Sequence, residues 1–432
     1  MLPKLELPTL KFARALLLSA ACAIAGHVEF VSAAEPRLDS NIVFQAGQGG
    51  YESYRIPCLV ATPKGTLLAF CEARRGTKGD WGSIDLMMRR STDRGATWSA
   101  PRKIAEVAGP HRKNPLAVAR NLAQDGEVTY NNPLAIVDGK TGSIHFLFCL
   151  EYMRAFHQHS DDDGQSFSPP VEITPAFEAF RKHYDWKVLA TGPGHGIQLT
   201  GGRLLAPVWL STGTGGHAHR PSVVTTIYSD DSGRTWQAGE IAAQDGQPLV
   251  NPSESMAVEL ADGRVLLNMR SESSEHRRAS AVSPNGATGW TRPAFDQQLL
   301  EPICMASLCR LTLPAVDGKS RILFANPDNL DRADGKATPG RGRDRKNLTV
   351  KLSYDEGRTW PVARSLDAGV SGYSDLAVGA DHTIYCLYEQ GGRDAASAFR
   401  PSLTLARFNL DWLSGGQDGF NRARPARADR NR

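Results

Sequence analysis

The 432-residue chain is 41% hydrophobic and 22% charged, enough apolar material for one large domain or two ordinary ones. Its formal charge of +4 gathers at the ends. Lys4, Lys11 and Arg14 face Glu6 and Glu29 at the start, and five arginines from Arg422 to Arg432 face Asp418 and Asp429 at the finish. The body between them is close to neutral, which argues against a nucleic-acid-binding face.

Three basic residues, the apolar run ALLLSAACAIAG and the small residues of VSAAE make residues 1–34 read as a secretory signal peptide, cut near Ala33 or Ala34. The apolar run is too short to span a bilayer comfortably, and no other segment approaches transmembrane length. The expectation is an exported protein, periplasmic or secreted, without stable membrane insertion. Six cysteines follow the leader, and Cys58, Cys71, Cys149 and Cys386 sit in apolar strand-like runs such as FLFCL. Buried thiols suit those positions at least as well as disulfides. No CxxC spacing occurs, so no zinc site is expected.

The octet STDRGATW from Ser91 returns as SDDDGQSF from Ser160, SDDSGRTW from Ser229 and SYDEGRTW from Ser353. The first three copies are 69 residues apart, and a weaker one, SPNGATGW, starts at Ser283. Self-similarity at a fixed period points to a repeat architecture. Around the copies, runs such as VVTTIYSD and LTVKLSYD alternate with period two, as strands joined by tight turns do. Helical periodicity is confined to PAFEAFRKHY near 175. Within the octet, the Asp closes a turn through backbone N–H groups and the Gly supplies positive φ. The final aromatic folds back over the hairpin. A motif repeated four times serves the frame, since a single active site needs no four copies. Radially repeated antiparallel sheets make a β-propeller, and the period divides residues 40–412 into five or six blades. The tail after 412 lacks apolar periodicity and reads as a disordered basic segment, 413–432.

The residues that do not repeat carry the chemistry. YRIPCLV, then LLAFCEARR, then DWGSIDLMMRRSTDRGATW together resemble the exo-sialidase (neuraminidase) family of bacteria and animals, from Tyr54 to about Trp412. The resemblance implies an all-β, six-bladed propeller. It also implies three arginines gripping a substrate carboxylate: Arg55 of the RIP motif, Arg270 ending PSESMAVELADGRVLLNMR, and Arg345 in RKNLTVKLSYDEG, where Arg341 and Arg343 crowd the same loop. Guanidinium forks pair with carboxylates bidentately and stay charged at any working pH. Tyr373 of SGYSDLAV matches the family's nucleophile, supported by the downstream LYEQ, and Glu254 matches its carboxylate partner. A neutral phenol suits an anomeric carbon that bears its own carboxylate, which would repel an anionic Asp or Glu.

The same resemblance calls for an aspartate acid/base shortly before the first octet. Asp80, in the loop KGDWGSI, is preferred to Asp85 in the alternating strand, because a loop acid can reach over a pocket. Trp81 beside it is placed to limit solvent access. Arg74 matches an auxiliary arginine of the family pocket, with Arg75 as its alternate. The pairs His157/His159 and His217/His219 lack a third metal ligand. The reading is an exo-α-sialidase that needs no cofactor or metal, acts on sialylated glycans as a monomer and binds no nucleic acid. Rival readings are a trans-sialidase, a hydrolase of a related nonulosonic acid, and a non-catalytic glycan-binding propeller.

Overall fold

Segments such as LLAFCEAR and IHFLFCL have no polar face because both faces are covered. Every residue of the strands Leu67–Arg74 and Ile144–Leu150 is buried, each enclosed between neighbouring sheets. The computed structural model describes residues 35–76, 79–124, 126–336, 338–391 and 401–420. All belong to a compact unit assigned to Ala33–Arg432. The segment read as a signal peptide lies outside the described residues.

The fold is all-β, built from successive antiparallel meanders. One sheet runs Ser53–Ala61, Leu67–Arg74, Ile84–Ser91 and the short Arg102–Lys103. The next holds Tyr130–Val137, Ile144–Leu150 and Arg154–Ser160. The third is built on Val188–Thr191, Leu204–Ser211 and Ser222–Ser229, and the fourth on Ser255–Glu259, Val265–Met269, Arg277–Ser283 and Ala294–Leu300. Short strands extend the second and third sheets, and seven further strands form one continuous sheet. It is continuous because the long strand Val362–Val378 serves two meanders. Its first half pairs with Lys346–Ser353 and its second half with Ile384–Gln390. The N-terminal strand Leu38–Phe44 completes this sheet by pairing antiparallel with Ser402–Phe408.

The octets occupy the turns after the third strand of their sheets. In each of the four full copies the Gly N–H donates to the Ser Oγ at 2.8–2.9 Å, as Gly95 does to Ser91. The Asp carboxylate accepts from the backbone N–H and hydroxyl of the Thr or Ser four residues on. The glycines sit at φ of +79 to +81°. Each also abuts a neighbouring sheet: a Cβ on Gly164 would overlap Leu68, and one on Gly233 would approach His145 to 2.6 Å. The octet is therefore a lock between sheets as well as a turn. In the weaker copy the Gly stands three residues after the Ser instead of four, with Asn285 in the Asp role accepting from Thr288 N–H, and its Gly286 packs on Leu205 in the same way.

The helical expectation near 175 is met by Thr174–Glu178 and the 3-10 turn Ala179–Lys182. The boundary expected at 412 is corrected. It falls inside the helix Leu410–Ser414, and Asp418 is buried against Arg321 at 2.7 Å and Lys319 at 2.6 Å. Arg321 is fully buried and needs that carboxylate, so the fold reaches past 413. Residues 421–432 lie outside the described residues. The six cysteines after the leader are free thiols, five of them buried. Among the described residues no helix is long and apolar enough to cross a membrane.

Candidate active site

Three of the strands that open a meander break register at one end. The ladder slips between Arg55 and Cys58, between Asn131 and Leu134, and between Ser371 and Ser374. Bulges re-aim side chains and release backbone groups from the ladder. Here they carry Arg55, Asn132 and Tyr373 to a cleft of about 200 Å³. Three larger clefts, of about 410, 450 and 270 Å³, hold no comparable gathering of arginines, acids and a phenol.

Tyr373 Oη donates to Glu254 Oε1 at 2.5 Å, and Arg270 Nη1 donates to Tyr373 Oη at 2.7 Å and to Glu254 Oε2 at 2.5 Å. The phenol thus has a carboxylate to receive its proton and a cation to stabilise the phenolate. Burial raises its pKa, Arg270 works to lower it, Glu254 raises it further, and the net direction is upward. Arg55 and Arg345 flank the same ring, their guanidinium carbons 5.5 and 5.3 Å from its centroid. Arg345 is held through Nη2 by the Ile303 carbonyl at 2.7 Å. Arg343 instead spends its Nη1 on the carbonyls of Thr338 and Arg341, and neither Arg341 nor Arg343 lines the cleft.

Arg55 is fixed by a residue that the sequence reading used only to support an alignment. Glu389 Oε1 accepts from Arg55 Nε and from Ile56 N–H, both at 3.0 Å, while Oε2 accepts from Arg55 Nη2 at 3.2 Å and Tyr373 N–H at 3.1 Å. One buried carboxylate thereby places both the RIP arginine and the phenol's backbone. A Cβ at Gly372 would collide with it. Ile56 takes φ +58°, a strained value for a β-branched residue, and its N–H bond to Glu389 helps hold it there. Burial works to raise the Glu389 pKa, but Arg55 and the Ile56 N–H outweigh it, so the carboxylate stays ionised.

Asp80 and Arg74 meet across the cleft at 2.9 Å. Arg74 is held from behind by Glu72 Oε2 at 2.6 Å, and Glu72 Oε1 accepts the N–H of bulged Asn132 at 2.9 Å. Glu72 was missed in the sequence, although its place two residues before Arg74 puts both on one face of a strand. Burial works to raise the Asp80 pKa, but Arg74, then His219 and Arg55, outweigh it and hold the carboxyl below its ordinary range. Trp81 is buried beside Asp80 and packs on Tyr152 and His219. Asp85 and Arg75 are elsewhere: they pair at 2.8 Å, with Lys103 on the other Asp85 oxygen at 2.9 Å. His217 and His219 line the cleft, and burial pushes the His219 imidazole down to about 4. His157 instead lies in the core against His145. Among the described residues, no group of three or more His, Cys, Asp or Glu side chains is placed to hold a metal.

A family model described as "BNR repeat-like domain" matches residues 119–386. The chain is 30% identical over 404 residues to "Sialidase" of Micromonospora viridifaciens, covering 85% of this chain and 53% of that protein. It is 30% identical over 378 residues to "Sialidase" of Bacteroides fragilis, covering 80% of this chain and 62% of that one. The chain belongs to the BNR-repeat sialidase family. It spans little more than half the length of these two relatives. Among solved structures, "Hadza microbial sialidase Hz136" superposes with a TM-score of 0.66 at 28% identity, covering 87% of this chain and 69% of that one. All seven residues marked from the resemblance line this one cleft: Arg55, Arg74, Asp80, Glu254, Arg270, Arg345 and Tyr373.

Proposed function

We propose that the protein is an exo-α-sialidase that hydrolyses terminal sialic acids from glycoconjugates with retention of configuration. The carrying observation is the Tyr373–Glu254–Arg270 triangle, set in a cleft where Arg55 and Arg345 flank the phenol and Asp80 lies on Arg74. The substrate carboxylate sits on Arg55, Arg270 and Arg345, which fixes the anomeric carbon above Tyr373. In the first step the Tyr373 oxygen bonds to the anomeric carbon and passes its proton to Glu254. The bond to the leaving oxygen breaks as Asp80 protonates that oxygen. In the second step water, deprotonated by Asp80, attacks the same carbon. The aryl–sugar bond breaks, and the phenol recovers its proton from Glu254.

Asp80 must be protonated to begin, yet Arg74, His219 and Arg55 hold it ionised. The substrate supplies the correction: its carboxylate offsets the arginines and its bulk displaces water, and both effects raise the Asp80 pKa. The fold belongs to the same reading. Dividing the long strand Val362–Val378 between its two meanders gives six groups of four to six strands, which we take as six propeller blades with the N-terminal strand closing the last. The chain's leader-like start fits export.

Release of fluorophore from an aryl α-sialoside tests the proposal. Tyr373→Phe is expected to lower kcat by roughly 10³-fold or more, because the nucleophile and its proton leave together. Hydrolysis near the parent rate would sink the mechanism. Product analysis with an added sugar acceptor separates hydrolysis from transfer.

A further inference from the structure

Two residues beyond Tyr373, on the same face of the strand, lies Asp375, a fully buried acid that no step above uses. Its Oδ1 accepts from His195 Nδ1 at 2.7 Å and from Ser307 Oγ at 3.0 Å, and its Oδ2 accepts from Leu59 N–H at 2.8 Å. Ser307 Oγ in turn accepts the N–H of Leu376 at 2.9 Å. The network assigns a proton to His195 Nδ1, since the atom it faces is a carboxylate oxygen.

The three donors come from three other elements, and each leads to the cleft. Leu59 follows Arg55 on the strand Ser53–Ala61. Ser307 opens the strand Ser307–Thr312, just after Ile303, whose carbonyl holds Arg345. His195 lies on the short strand Gly194–His195, parallel to the strand that carries Asn132. Meanwhile the ladder around the nucleophile is interrupted: Ser371 pairs with Gln390, the next pair is Ser374 with Tyr388, and Gly372 and Tyr373 fall in the bulge. A bulged residue is located by whatever ties down its flanks. On one side that is Glu389, which takes the Tyr373 N–H. On the other it is the knot at Asp375.

We propose that Asp375, with His195 as its donor from the facing strand, is a positioning residue for the nucleophile. The pair sets the bulged Tyr373 at the height at which Arg55, Arg270 and Arg345 present the anomeric carbon. This rests on reading Tyr373 as the nucleophile. Asp375 never touches substrate, and its effect passes through the strand.

A buried carboxylate with three donors also stabilises the fold, so the test must read chemistry apart from stability. The measurement is the rate of covalent capture by 2,3-difluorosialic acid, followed by intact mass and loss of activity well below each variant's Tm. His195→Ala is expected to slow capture by roughly 10-fold or more, since displacements of an ångström cost that much or more. His195→Asn keeps an amide N–H near the Nδ1 position and is expected to recover most of the rate. Asp375→Asn turns an amide N–H toward the donors and is expected to be at least as slow as His195→Ala. The histidine pair decides the matter if that variant does not fold. Unaltered capture by His195→Ala with a lowered Tm overturns the proposal and leaves the pair a stabiliser. Equal slowing in His195→Ala and His195→Asn also overturns it, because ring packing and not the hydrogen bond would then matter. Tyr373→Phe is the control: capture by that variant brings down the functional reading itself.

Discussion

The arginines around the cleft oppose two acids of different kinds. Arg74, with help from His219 and Arg55, drives the Asp80 carboxyl down, while Arg270 only tempers the rise that burial gives the Tyr373 phenol. At neutral pH these groups therefore leave Asp80 ionised and Tyr373 neutral beside Glu254. Arg74→Gln removes the charge nearest Asp80, so that carboxyl titrates higher. The alkaline limb of kcat, which follows the acid in the substrate complex, is expected to move to higher pH. Its plateau should fall roughly 10-fold, in keeping with the loss of a charge-assisted contact. Stability should drop as well, because Glu72 would be left a buried carboxylate without its cation, a loss of about 3–5 kcal/mol. A pH–rate profile read beside thermal melts checks both. An unmoved limb would mean that Asp80 is not the acid. The arginines and the phenol were legible because their motifs are local strings. The carboxylates that orient them were not: Glu389 lies 334 residues from Arg55, and only the register of distant strands joins them. Glu72 was closer to reach, two residues from Arg74 on the same strand face.

At the scale of elements, the octets show what a local pattern does and does not disclose. Ser, Asp, Gly and Thr occupy a turn whose bonds all lie within a few residues, so the sequence alone marked the turn and its positive-φ glycine. The second task of that glycine was invisible, because its neighbour is a residue of another sheet. Gly164→Ala tests both tasks. The new methyl would sit at φ +79° and press on Leu68, so strain and overpacking add. The expected loss is about 2–4 kcal/mol, read as a lower Tm, with kcat little altered because the octets lie away from the cleft. A Tm within a degree of the parent would show that Leu68 yields freely and that the lock between sheets is loose. The bulges at Arg55, Asn132 and Tyr373 left no comparable mark. Alternation of apolar residues fixes which face is buried, but a one-residue slip in a partner strand is decided by long-range pairing.

For the molecule as a whole, the arrangement depends on one junction between its two ends. The strand Leu38–Phe44 pairs from Leu38 with Phe408 to Phe44 with Leu403, and Asp39 pairs with Arg407 at 2.7 Å. Val43 and Phe44 are buried against Tyr51, Tyr54, Leu67 and Leu405, so this strand also packs on the sheet that carries Arg55. Its own sheet carries Tyr373. The junction therefore bears on the distance between Arg55 and Tyr373. Deleting residues 38–44 removes the burial of Val43 and Phe44, about 1.5–3 kcal/mol each, together with the ladder. It also leaves Ser402–Phe408 as an open edge, which invites pairing between copies. The expected outcome is a lower Tm in calorimetry, concentration-dependent association in size-exclusion chromatography, and a fall in kcat/KM of the remaining monomer. If the shortened chain eluted as the parent does with its kcat/KM intact, the spacing of Arg55 and Tyr373 would have to be set from within. Glu389, bonded to both, is the group placed to do so.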